Sequence, residues 1–181
     1  RLDQALIAIN RFVDRRPDSA NGHFKRGTIY FLRSMWQDAR NDFQTAKSQD
    51  PKGFSYQHRV RLALCIEHMG QNDLAVAELA SVIADEPDQM NAMDELLRVY
   101  TKLSQWSDAE KLLLARQKTA PPDNPEWLMR LMDLYRSSKD ADKAIRAGLD
   151  LAQKTQYAST TIENLLQTYL PERYRAATAH V

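Results

Sequence analysis

The sequence predicts an all-α protein built of stacked antiparallel helix hairpins, and three observations predict it. Pro17, Pro51, Pro87 and Pro121 lie 34, 36 and 34 residues apart. Proline lacks the backbone N–H and its ring collides with the preceding helical turn, so evenly spaced prolines mark evenly spaced helix ends. Two further columns keep the same period: Ala5, Ala39, Ala75, Ala109 and Ala144, and Tyr30, Ile66, Tyr100, Tyr135 and Tyr169. Finally, no segment alternates apolar and polar residues long enough to read as a strand, and only 5 of 181 residues are glycine, which favours helix. A shared period of this length is the mark of a repeat architecture.

Each period divides into two helices. The first predicted helix, 2–15, carries Ala5, Ile9 and Phe12 before Pro17 and is a second helix standing alone. The pair 20–33 and 36–49 carries Gly27, Ile29 and Tyr30, then Ala39, Phe43 and Ala46 before Pro51. In 55–69 the residues Leu62, Ile66 and Met69 keep helical spacing until Gly70 interrupts it, and Leu74, Ala75, Leu79 and Val82 resume it over 72–85. The pair 89–102 and 105–118 is carried by Leu96 and Tyr100, then Ala109 and Leu113. Leu131 and Tyr135 carry 124–137; Ala144 opens the pattern of 140–154, where Gly148 takes the place of a large apolar residue. A last helix over 159–170 rests on Ile162, Leu165 and Tyr169. The repeat units are thus about 20–54, 55–88, 89–123 and 124–157, with partial units at 1–19 and 158–181, all in one array over 1–181. Because the chain begins and ends in mid-unit without a polar cap, a piece of a longer protein is expected.

Composition narrows the function classes. The chain carries 25 Lys+Arg and 24 Asp+Glu, a formal net charge of +1, so no overall field draws in nucleic acid or an anionic membrane. No apolar run approaches the roughly 18 residues that span a bilayer. Cys65 is the one cysteine, which excludes an intrachain disulfide and suits a reducing compartment without excluding a periplasm. Charge is uneven along the chain: net +4 over 20–70, −6 over 71–126 and +2 over 127–181.

These columns resemble the tetratricopeptide repeat family, whose unit of about 34 residues follows the pattern W-x2-L-G-x2-Y, A-x3-F, P. The unit from Ala20 matches best, with Gly27, Tyr30, Ala39, Phe43 and Pro51. The resemblance covers about residues 2–170 and implies a right-handed superhelical α-solenoid whose first helices line a concave groove. It implies a non-catalytic scaffold that binds another protein or peptide in that groove and needs no cofactor. The groove positions that follow from register are Asn21, Phe24, Thr28 and Phe31; Gln57, Val60 and Leu64; Asn91, Asp94 and Arg98; and Glu126, Met129 and Asp133. Asn21, Gln57, Asn91 and Glu126 form one column, whose carboxamides suit hydrogen bonds to a peptide backbone. Phe24 and Phe31, seven residues apart on one helical face and flanked by Lys25 and Arg61, suit a hydrophobic anchor. Where some relatives clamp a terminal carboxylate with Lys and Asn, Phe24 and Thr28 stand here.

Catalytic chemistry finds little support. His23, His58, His68 and His180 form no H-E-x-x-H or other close ligand pair, and no G-x-G-x-x-G, GK[ST] or G-x-S-x-G occurs. Asp94–Glu95 and Asp85–Glu86 are chain neighbours, about 100° apart on a helix, and so do not converge. Cys65 lies among Leu64 and Ile66 with nothing local to lower its pKa, and reads as an inert buried thiol. Trp36 and Trp106 read as wedges in the turns. Two further functions remain open from sequence: self-association as a homo-oligomer through exposed array ends, and RNA binding by helical-hairpin repeats, against which the acidic middle stands.

Overall fold

The computed structural model describes residues 1–119 and 125–154, with residues 160, 164, 167 and 168 besides. Its helices are α1 (Leu2–Arg15), α2 (Ala20–Leu32), α3 (Trp36–Gln49), α4 (Tyr56–His68), α5 (Asn72–Asp85), α6 (Met90–Lys102), α7 (Trp106–Thr119), α8 (Glu126–Ser137) and α9 (Ala141–Lys154). No strand occurs among the described residues. All nine agree with the sequence-predicted helices to within two residues at either end. The predicted helix over 159–170 falls, but for the four scattered positions, outside the described residues.

The period originates in two backbone joints. Where the first helix of a hairpin ends, Ser34, Gly70, Ser104 and Lys139 take left-handed φ values of 58°, 80°, 56° and 61°. The next N–H then donates back five residues: Met35 to the Tyr30 carbonyl, Gln71 to Ile66, Gln105 to Tyr100 and Asp140 to Tyr135, at 2.9–3.1 Å. This is a Schellman ending, which satisfies carbonyls that the helix would otherwise orphan. It makes the tyrosine column the acceptor column of the turn. The carbonyls of Met35, Gln71, Gln105 and Asp140 in turn accept from Ala39, Ala75, Ala109 and Ala144, so the alanine column is the first turn of the second helix. That helix ends before a proline. Arg16, Asp50 and Glu86 sit at φ/ψ of −138°/71°, −138°/79° and −134°/78°, outside the α region that the proline ring denies them. Pro121 lies outside the described residues.

The chain divides into two compact units, Arg1–Val99 and Tyr100–Val181. In the first, α2 packs on α3, α4 on α5 and α3 on α4. Closeness depends on small residues: a Cβ on Gly27 would stand 2.9 Å from the Phe43 ring, and Ala39, Ala63 and Ala75 are wholly buried. Phe43 anchors a core with Phe54, Leu62, Cys65 and Ile66. Salt bridges cross the helices, with Lys47 and Arg59 both meeting Glu78, and Arg59 also Asp85 at 2.6 Å. In the second unit α7 packs on α8 and α8 on α9, around Leu113, Trp127, Leu131, Ala144 and Ala147. Gly148 is buried there. Tyr135 donates to Glu110 at 2.8 Å and Lys143 ion-pairs with the same carboxylate at 2.8 Å, which ties all three helices together.

Candidate protein-binding groove

An apolar groove opens in the first unit between α1 and α2. Ala5, Ala8, Ile9 and Phe12 of α1 form one wall and Thr28 and Ile29 of α2 the other, enclosing about 580 Å³. Helical spacing puts the four α1 residues on one stripe. Phe12 reaches across to Gly22, where a Cβ would come within 2.9 Å of its ring. Lys25 and Arg61 stand at the rim. Lys25 is exposed, neither cation has an ion pair among the described residues, and the groove lining contains no acidic side chain. Arg61 lies 5.5 Å above the Phe24 ring, a cation–π contact that fixes the guanidinium without neutralising it.

The structure distributes the sequence-predicted groove residues over several environments. Lys25, Thr28 and Arg61 meet at this groove with an edge of Phe24. Phe24 is half-buried and packs against the core: its ring centroid lies 3.6 Å from that of His58 and 5.7 Å from that of Phe43. Phe31 is half-buried with its ring 5.3 Å from Trp36, edge to face, and Trp36 stacks on His68 at 4.0 Å. Val60 is a core residue at 3% exposure, and Leu64 is half-buried. Asn21, Gln57, Asn91 and Asp94 are exposed; Gln57 donates to the Tyr56 hydroxyl at 3.2 Å. Arg98 pairs with Glu95 at 2.8 Å and with the buried Glu67 at 3.2 Å. In the second unit Glu126 pairs with Arg130 at 3.0 Å, Asp133 faces Arg136 at 3.6 Å, and Met129 is exposed.

Thr28 is spent locally, its hydroxyl donating to the Phe24 carbonyl at 2.9 Å. A smaller pocket of about 160 Å³ lies beside Asn21, Phe24, Asp50 and His58. There burial, and then the Arg61 charge, pushes the His58 imidazole below its ordinary pKa.

Sequence reasoning missed a polar cluster between α2 and α3. Asp42, 4% exposed, accepts from Arg26 Nε and Nη2 at 2.7 and 2.8 Å and contacts His23 Nδ1 at 2.8 Å. The hydrogen bond from Arg26 to Asp42 holds the guanidinium above its ordinary pKa. The other His23 nitrogen meets the Pro17 carbonyl at 2.9 Å, so the cluster is closed on itself and joins the α1–α2 turn to α3. Trp127 was missed as well; it is buried, with the guanidinium groups of Arg116 and Arg130 at 5.7 and 5.4 Å from its ring centre.

Several further reactive groups are engaged or buried. Cys65 has no exposed surface and burial pushes its thiol up to about 12, so it holds almost no thiolate at neutral pH. The acids Asp85 and Glu95 are held by Arg59 and Arg98. Among the described residues no group of three or more His, Cys, Asp or Glu is placed to hold a metal ion, and no helix is long and apolar enough to cross a membrane.

No protein-family model matches the chain, and no curated protein matches it in sequence. Solved structures match its fold. YrrB, a TPR protein with an unusual peptide-binding site, superposes with a TM-score of 0.62 at 15% identity, over 88% of this chain and 80% of YrrB. The C-terminal part of a TPR repeat-containing protein from Cytophaga hutchinsonii gives 0.70 at 14% identity, over 98% and 67%. MamA gives 0.65 at 17% identity, over 88% and 91%. The chain therefore has the all-helical fold of tetratricopeptide-repeat proteins, as its columns lead one to expect.

Proposed function

We propose that the protein is a non-catalytic interaction scaffold that binds a segment of another protein on its first unit. The observation that carries this reading is the α1–α2 groove: an open apolar channel with two cations at its rim that have no ion pair among the described residues. An apolar floor supplies affinity through burial, and rim charges select the partner and steer it in. The reading agrees with YrrB, whose fold this chain shares and which has a peptide-binding site. It moves the floor of the site from Phe24 and Phe31, where sequence register puts it, to Ala5, Ala8, Ile9 and Phe12. Phe24 lines the groove as well, beside Lys25 and Arg61.

Selection of a displayed random-peptide library against the full chain tests this. Peptides are expected to emerge that bind the parent and bind an Ala8→Glu variant at least tenfold more weakly, with the melting temperature unchanged because Ala8 is exposed. Selected peptides indifferent to Ala8→Glu, or no selection above background, would overturn the assignment.

A further inference from the structure

The joint after α3 departs from the repeat. Pro17 and Pro87 are each followed by two residues before the next helix, whereas Pro51 is followed by four, from Lys52 to Ser55. That excess stretches one period from 34 to 36 residues. Asp50 holds the longer loop: its carboxylate accepts from the Gly53 N–H at 2.9 Å, and its carbonyl from the Phe54 N–H at 3.1 Å. A Cβ on Gly53 would overlap that carboxylate, so the loop needs glycine there. Phe54 is thereby carried inward to 6% exposure. It walls the pocket of about 160 Å³ together with Phe24 and His58. The His58 ring lies 3.6 Å from Phe24 and 5.3 Å from Phe54, centre to centre. Small residues leave the rest of the space. Ala20, Ala46 and Gly53 line it, and 36 residues on their places are held by the larger Tyr56, Val82 and Gln89. The cavity is therefore made by this joint and not by the repeat as such. It lies among α2, α3 and α4, inside the first unit.

We propose that this pocket receives an alkylammonium group, a lysine side chain or a free alkylamine, with its carbon stem among the rings and its charge at Asp50. Charge decides the sign of the ligand. Among the described residues that line the pocket, Asp50 alone bears a charge at neutral pH. One of its oxygens takes the Gly53 N–H, which leaves the other for a donor. Asn21, exposed in the same lining, adds a carboxamide oxygen. The imidazole does not compete as a cation. Burial first, and the Arg61 charge second, push it below its ordinary pKa, so it is a third uncharged ring. Arg61 itself lies over the Phe24 ring but lines the α1–α2 groove and not this pocket. Aromatic faces attract a cation through their quadrupole, and an alkyl stem buries well against them while its head stays polar. The volume agrees: a cavity of this size takes a benzene-sized guest, about the bulk of a four-carbon stem with its ammonium. The site is separate from the α1–α2 groove and does not depend on what that groove binds.

The test is a titration of the full, isotope-labelled chain followed through its backbone amides by NMR. The probes are n-butylammonium, Nα-acetyl-lysine methylamide, its uncharged analogue Nα-acetyl-norleucine methylamide, and Nα-acetyl-glutamate methylamide as the anion. Both ammonium probes are expected to give saturable shifts at Gly53, Phe54 and His58, in the low-millimolar range that suits ligands of this size. The tighter of the two identifies the source: the lysine derivative points to a protein side chain, butylammonium to a free amine. The norleucine and glutamate probes should bind at least fivefold more weakly. Asp50→Asn keeps an oxygen for the Gly53 N–H and should weaken the ammonium probes at least fivefold, with the melting temperature little changed. Ala20→Tyr puts the following unit's residue at a half-buried place and should fill the pocket and abolish the shifts. If that variant does not fold, Asp50→Asn decides alone. The proposal is overturned if neither ammonium probe gives saturable shifts at these residues, or if the norleucine or glutamate probe binds as tightly. It is equally overturned if Asp50→Asn binds like the parent, or if the shifts survive in a folded Ala20→Tyr chain.

Discussion

The left-handed joints make a prediction that separates backbone from side-chain causes. At Ser34, Ser104 and Lys139 a residue with a Cβ holds φ near +60°, which costs roughly 1–2 kcal/mol relative to right-handed helix. Glycine removes that cost but gives back up to about 1 kcal/mol, because the unfolded chain gains freedom. Lys139→Gly should therefore stabilise by about 0.5–1 kcal/mol. Gly70, at φ +80° with open space around a built Cβ, should lose about 1 kcal/mol on Gly70→Ala purely through the backbone. Gly27→Ala should also destabilise, but through collision with Phe43. It should be rescued in part by Phe43→Leu, whereas no packing change should rescue Gly70→Ala. Urea unfolding followed by helical circular dichroism measures the shifts, read as midpoint changes at constant slope. The reasoning fails if Gly70→Ala is neutral or if Lys139→Gly destabilises.

The other predictions concern packing and charge. Phe43→Ala should cost about 3–5 kcal/mol, because the ring has no exposed surface and its loss leaves a cavity under α2. Ala75→Leu should cost about 1–3 kcal/mol by overpacking, again read from urea midpoints. Phe24→Ala should lower the melting temperature through loss of its contacts with His58 and Phe43. The Lys143 hydrogen bond, and after it that of Tyr135, holds Glu110 below its ordinary value of 4.5. The unfolded chain thus takes up that proton first, so the stabilisation is present above about pH 4.5 and fades as the pH falls. Glu110→Gln should flatten that acid limb in melting curves taken from pH 6 down to roughly pH 3.

The helices were legible because their ends are fixed by joints that recur: the proline, alanine and tyrosine columns are the residues on either side of two turns. One joint was half hidden. Its left-handed position carries glycine only at Gly70, and the two serines and a lysine that share it have no turn signature. The binding surface was harder to read, since helical register gives a residue's direction but not what lies opposite. Val60 was assigned to a groove, yet it is buried in the core, and Phe24 packs its ring against His58 while also lining the α1–α2 groove. Lys25, Thr28 and Arg61 line that cleft too, beside an α1 wall to which the register of the first helices does not point. Ala5, Ile9 and Phe12 follow the same pattern as residues that are buried elsewhere, and only packing shows them to be open. His23 and Asp42 meet from 19 residues apart on separate helices, a contact without any periodic trace.

The central claim is that another protein seats itself on the α1–α2 groove. The most direct measurement places a photo-crosslinking amino acid at Ala8, and separately at the exposed Met129 of the second unit, in the full-length protein inside the cells that make it. The adducts are then sequenced. The account predicts one recurrent adduct from Ala8, abolished by Lys25→Glu, with no such adduct from Met129. Adducts from Met129 alone, or an Ala8 adduct that Lys25→Glu leaves unchanged, would contradict it.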